Sequence, residues 1–125
     1  MIGNKYLQEF YEYPDEDSAI NQLLEFLKSK DKSFLKSLNK PIDISECDEK
    51  ELVFLTKISA LIDYCLQLEG MEVPHWLRDK RLVFERPYFH PKRIDDIGKV
   101  KLQYTNPAPF RRRNVYFDLE GLKRI

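Results

Sequence analysis

Residues 48–70 read DEKELVFLTKISALIDYCLQLEG, and the architecture follows from them. Asp48 with Glu51 three positions on has the form of a capping box, and Cys47 and Leu52 can close a hydrophobic staple across it. From Leu52 onward the apolar positions Leu52, Val53, Phe54, Leu55, Ile58, Ala60, Leu61, Ile62, Tyr64, Cys65, Leu66 and Leu68 leave little of a helix circumference polar. A helix apolar nearly all round is central in a domain or shared with a partner. Gly70 supplies the left-handed residue that ends such a helix. The spacing predicts a helix from about Asp48 to Glu69, with Leu55, Ile58, Ile62 and Cys65 in the core. The same surplus of apolar surface is consistent with a homodimer.

Toward the N-terminus the periodicity stays helical. Tyr6, Leu7, Phe10 and Tyr11 share one face, and Pro14 closes that segment. In DEDSAINQLLEFLKSK, Ile20, Leu23, Leu24 and Leu27 form a single apolar stripe. Asp15, Asp17 and Ser18 are the cap candidates, and the acidic residues suit the positive end of the helix dipole. DKSFLKSLN predicts a further short helix with Phe34, Leu35 and Leu38 inward, stopped by Pro41. PIDISE reads as loop.

Beyond residue 72 the character changes. Pro74, Pro87, Pro91, Pro107 and Pro109 cut the chain into short pieces. Pro74 can open a helical turn at HWLRD. KRIDDIGKVKLQYTNP predicts a turn of helix near Asp95 and then a short extended piece. Pro109 can open a turn carrying Phe110 and the arginines, Asn114 tolerates the turn that follows, and Val115–Phe117 has strand propensity. DLEGLKRI reads as a last helical turn capped by Asp118. The expectation is one mainly α domain over residues 1–125. It has an acidic helical part, 1–72, and a basic part, 73–125, forming an irregular cap rich in proline and aromatic residues with short strands.

With 125 residues, one hydrophobic core is within reach of a single domain. Hydrophobic residues at 42% and aromatic residues at 13% exclude a disordered chain, while a mean hydropathy of −0.55 implies a well-solvated surface. The formal net charge of zero conceals a division. Residues 1–76 hold 8 lysines against 15 Asp and Glu, whereas residues 77–125 hold 13 Lys and Arg against 6 acids, and every arginine lies beyond Trp76. Arginine suits bidentate pairing with carboxylate or phosphate better than lysine does. Internal pairing of the basic part with the acidic part is therefore the first expectation, ahead of an external anion.

Few catalytic chemistries have their residues here. There is no GxSxG, no HExxH and no phosphate-binding glycine loop. Cys47, Cys65, His75 and His90 match no metal-ligand spacing, so no metal or cofactor is expected. The absence of CxxC suits a reducing compartment, and no run reaches the ~18 apolar residues of a membrane span. The expectation is a soluble, cytoplasmic protein that engages no membrane. His75 beside Trp76 could line a pocket or stack on a base, but tryptophan in such a turn is more often an anchor.

The run NPAPFRRRNVYF, Asn106–Phe117, is the strongest candidate for a site. Three successive helical positions fan over about 200°, so Arg111, Arg112 and Arg113 cannot all face one phosphate row. At least one should turn inward and brace the basic part against the acidic helices, between Phe110 and Phe117 as apolar anchors. An outward arginine, with Arg78 and Trp76, is a candidate contact for a protein partner, since Trp and Arg are common hot-spot residues. In the alternative, a nucleic-acid accessory protein, Lys99, Lys101, Arg111, Arg112 and Arg113 lie on phosphates. That reading is less favoured, because no helix-turn-helix pattern is present. A second alternative is an enzyme with a site around His75, His90 and an arginine clamp.

Two stretches carry a resemblance, VPHWLRDKRLVFERPYFHP over residues 73–91 and NPAPFRRRNVYFDLEGL over 106–122. From residue 73 to the end, the chain resembles an uncharacterised bacterial antitoxin- or regulator-associated domain. That domain is often fused to a helix-turn-helix repressor domain or encoded beside nucleotidyltransferase-like toxins. The resemblance implies a non-catalytic interaction protein that masks the product of a neighbouring gene. It points to Trp76, Phe84, Phe89, Phe110, Arg111, Arg112, Arg113 and Phe117. No repressor module of the fused versions is read in this sequence, which departs from the family pattern and weakens the expectation of autoregulation by direct DNA binding.

Overall fold

The computed structural model describes residues 1–90 and 93–122, with the side chains of 121 and 122 excepted. The expected break at Pro91 and the last residues of the C-terminal turn, 123–125, lie outside them.

The fold is mainly helical. Helix α1 (Lys5–Tyr11) starts at Asn4, whose side chain accepts from the backbone of Tyr6 and Leu7. Helix α2 (Glu16–Ser29) is capped by Asp15 and buries Ile20, Leu23, Leu24 and Leu27. Helix α3 (Lys32–Leu38) is capped by Asp31 and buries Phe34 and Leu38. A single 3-10 turn, Ile44–Glu46, interrupts the loop that follows.

Helix α4 (Glu49–Leu68) is the axis of the domain. Its capping box is complete: Glu51 N–H donates to Asp48 at 2.8 Å, and Asp48 N–H donates to Glu51 at 3.0 Å. At the other end Met71 N–H reaches Leu66 O and Gly70 N–H reaches Gln67 O, with Gly70 at φ +67°. This is the Schellman closure that only a residue tolerant of positive φ allows without strain. Other elements of the same chain cover α4, chiefly α2 and the C-terminal segments. The apolar circumference that suggested a homodimer is thus largely spent within one molecule.

The second part opens with a 3-10 turn, His75–Arg78, and reaches strand β1 (Tyr88–His90). Helices α5 (Asp96–Thr105) and α6 (Ala108–Arg111) follow, then strand β2 (Val115–Phe117) and the turn α7 (Leu119–Leu122). The two strands pair in parallel with Tyr88 opposite Val115 and His90 opposite Phe117. A parallel pair needs a long connection, and α5 and α6 provide it.

Helix α5 corrects one expectation. The extended piece foreseen after Asp95 is instead helix through Thr105. Asp95 caps it by accepting from Gly98 N–H at 2.7 Å, and Leu102 is buried. Ile97, Val100 and Tyr104 face outward, where they blur the helical period, and the inward stripe is Ile94, Gly98 and Leu102. Ile94 lies so close over Gly98 that a Cβ there would meet its Cγ1 at 2.6 Å.

One hydrophobic cluster runs from Ile2 to Phe117 and includes Leu55, Ile58, Ile62, Phe110 and Phe117. Tyr6, Phe10, Phe26 and Phe34 meet edge-on or tilted at one end of it.

Candidate functional site: the arginine run and its cleft

The turn at NPAPFRRRN is helical for a local reason. Pro107 and Pro109 preset φ and remove donors that would be unsatisfied at a helix start anyway. Arg112 N–H then reaches Ala108 O, Arg113 N–H reaches Phe110 O, and Asn114 N–H reaches Arg111 O. Asn114 at φ +59° reverses the chain straight into β2, and its Nδ2 holds Phe84 O at 3.1 Å. The arginines therefore fan at helical steps, and each has a different fate.

Arg113 is the inward one. Its side chain is 5% exposed and its Nη2 lies 2.9 Å from Oδ2 of Asp63, which is 0% exposed on α4. Nη2 also donates to Leu77 O at 2.6 Å, and Nη1 donates to Pro109 O at 2.7 Å. Its Nε is buried without an acceptor among the described residues. Burial lowers the Arg113 pKa from its ordinary value, Asp63 opposes that, and Arg112 and Arg78 add to the lowering. Arg112 is half-exposed at 46% and shares the same carboxylate oxygen at 3.2 Å. Gln67 Nε2 donates to the other Asp63 oxygen at 2.7 Å, so both carboxylate oxygens are engaged. Arg111 is exposed.

Because Arg113 holds Leu77 O, it pins the 3-10 turn beside the arginine run. Between them opens a cleft of about 280 Å³, lined by Arg78, Asp79, Lys80, Val83, Arg112 and Arg113 among others. Asp79 adds no free acceptor there. Arg81 grips it bidentately at 2.9 and 2.8 Å, and that hydrogen bonding lowers the Asp79 pKa. Arg78 and Lys80 are exposed and form no ion pair among the described residues. The cleft is thus a concave cationic surface with a buried ion pair as its floor.

Two of the anticipated contact residues sit elsewhere. Trp76 is 7% exposed and donates from Nε1 to Leu38 O at 2.8 Å, which closes the end of α3. An indole spent in this way offers no surface to a partner. Arg113 is interior for the reason just given. Of the positions in the nucleic-acid alternative, Arg113 is withdrawn from the surface, Lys99 lies 5.7 Å over the Phe89 ring, and Lys101 is exposed on α5 away from Leu102.

Among the expected anchors, Phe84 is half-buried against the core, whereas Phe89 stacks on Tyr116 at 5.4 Å, outside the main cluster. Cys65 is only partly buried. It lines an apolar cleft of about 210 Å³ with Leu24, Leu27, Leu61 and Leu68, and burial pushes its thiol pKa up. A protonated thiol of this kind is no nucleophile. His75 is exposed on its turn. His90 lies 3.4 Å from Asp17 and 5.1 Å from the Phe117 ring, a packing role in β1. No group of three or more His, Cys, Asp or Glu among the described residues is placed to hold a metal. No described helix is long and apolar enough to cross a membrane.

Sequence reasoning missed the acidic partners. Asp63 is one of two charges inside the apolar run of α4, and that isolation was the available signal. Glu16 gave less warning. It is 2.7 Å from Lys57 and accepts from the Tyr88 hydroxyl at 2.9 Å, while Lys57 lies 4.3 Å over the Tyr88 ring. Burial beside that carboxylate drives the Tyr88 phenol pKa far up. These residues lock β1 to the start of α2. The chain matches no family model, no curated protein and no solved structure.

Proposed function

We propose that this protein is a non-catalytic interaction protein of the bacterial cytoplasm, an antitoxin-like or regulatory partner for the product of a neighbouring gene. It receives an acidic surface of that partner in the cleft formed by Arg78, Lys80 and Arg112. One observation carries the reading: Arg78 and Lys80 form no ion pair among the described residues and line a cleft with a half-exposed arginine that a buried carboxylate holds in place. Surface arginine prearranged in this way loses less entropy on binding than a free side chain does.

Co-expression with the adjacent gene product and pull-down is the test. The wild-type chain is expected to capture the partner, and Arg78→Glu with Lys80→Glu is expected to abolish capture without altering the thermal midpoint. Absence of a complex with the wild type overturns the reading. Steeply salt-dependent binding of labelled DNA or RNA would favour the nucleic-acid reading instead.

A further inference from the structure

The charge at the cleft is not balanced. Arg78, Lys80, Arg112 and Arg113 line it, and Arg81 stands at its edge on Asp79. Among the described residues, Asp79 and the buried Asp63 form ion pairs with these five cations, and Asp43 acts on Arg81 from further off. Asp63 serves two arginines with one oxygen, and Asp79 is filled by Arg81. Apolar side chains, Leu77 and Leu82, form part of the wall. Like charges held together in a concave site with low-dielectric walls raise the local positive potential and draw in an anion. Burial is the main cause of the lowered Arg113 pKa, and the neighbouring Arg112 and Arg78 charges add to it.

The donors also have a definite arrangement. Arg112 uses one Nη2 hydrogen bond on Asp63, and its other guanidinium nitrogens make none among the described residues. Its guanidinium is therefore held at one nitrogen while the side chain stays half-exposed. Arg78 and Lys80 line the same cleft, two residues apart on the segment that Arg113 pins through Leu77 O. A lone carboxylate offers one negative charge. A phosphate monoester carries about −1.5 to −2 at neutral pH and has three acceptor oxygens. It matches donors converging from two elements better, and arginine forks are suited to it.

We infer that the cleft is a phosphate-monoester site, with Arg78, Lys80 and Arg112 as its ligands and the Asp63–Arg113 pair as its support. The inference rests on the reading that this cleft receives a partner's anionic group, and it names the class of that group. The phosphate comes either from a phosphorylated side chain of the partner or from a free small molecule.

The experiment is an amide NMR titration of the full chain at low ionic strength. Inorganic phosphate is the probe, acetate at matched ionic strength is the control, and a short phosphoserine peptide forms a second arm. Phosphate is expected to shift resonances confined to residues 77–83 and 111–113. Arg78→Ala and Lys80→Ala, both at exposed positions, are each expected to weaken that response roughly tenfold. Tighter binding of the phosphopeptide than of phosphate assigns the source to a protein, and equal binding assigns it to a small molecule.

Equal shifts with acetate, or a phosphate response that survives Arg78→Ala and Lys80→Ala, overturn the inference. If phosphate fails while Arg78→Glu with Lys80→Glu still abolishes partner capture, the cleft takes carboxylates and the proposed function stands. If phosphate binds as described but no partner is captured, the site stands and the proposed function falls.

Discussion

Asp63 has no access to solvent, yet it is the residue on which both Arg112 and Arg113 close. A buried charge is costly unless it is paired and hydrogen-bonded, and here each partner satisfies the other. Removing one side leaves the other stranded. Asp63→Ala is expected to cost about 3–5 kcal/mol, read from urea unfolding. Arg113→Met in the same background should add less than it costs alone, because the charge it removes is already unpaired. Additive losses in that cycle would show that the pair is not the brace. Arg111, exposed and uninvolved in this pair, should be replaceable by Ala with little change in stability.

At the level of elements, a side chain completes the small sheet. Asn106 ends α5 and is 3% exposed. Its Oδ1 accepts from Phe117 N–H at 2.9 Å, and its Nδ2 donates to Phe117 O at 3.0 Å. The amide therefore serves β2 as a further strand would. Asn106→Ala leaves two buried backbone groups without partners, each worth about 1–3 kcal/mol, so unfolding should shift by several kcal/mol. Amide exchange at Phe117 should accelerate as well. An unchanged exchange rate there would rule out the strand-like role. Nothing in the tripeptide Thr105-Asn106-Pro107 signals this bond, since its partner lies eleven residues on. The helical face of α5 was hidden for a different reason: its outward residues are as apolar as its inward ones.

On the scale of the whole molecule, the acidic and basic parts form one structure rather than two. Trp76 closes α3, the Asp63–Arg113 pair joins α4 to the arginine run, and Glu16, Lys57 and Tyr88 tie α2, α4 and β1 together. Phe110, Val115 and Phe117 supply fully buried surface to the same core as α4. A fragment of residues 1–72 would expose that apolar face of α4 and strand Asp63. It is expected to show no cooperative unfolding transition and to bind hydrophobic dye, measured by circular dichroism and dye fluorescence. A cooperatively folding fragment would mean that the first part is an independent domain.

Local patterns alone account for much of the protein. The capping box and glycine stop of α4, the stripe of α2, the proline-opened turn at Phe110 and the outward-to-inward fan of the arginines all follow from spacing and stereochemistry within a few residues. Charge division along the chain favoured pairing between the two parts, and Arg112 and Arg113 on Asp63 supply it. Tertiary structure alone decided which residues pair. The link from Asp63 to Arg113 spans fifty positions, and that from Glu16 to Tyr88 spans seventy-two. Both depend on where helices and strands settle against one core, and so does the cleft, since Arg78 and Lys80 share it with Arg112 on a segment that Arg113 holds through Leu77 O. Hydrogen bonds and ion pairs act over a few ångströms, and only packing brings such distant positions that close.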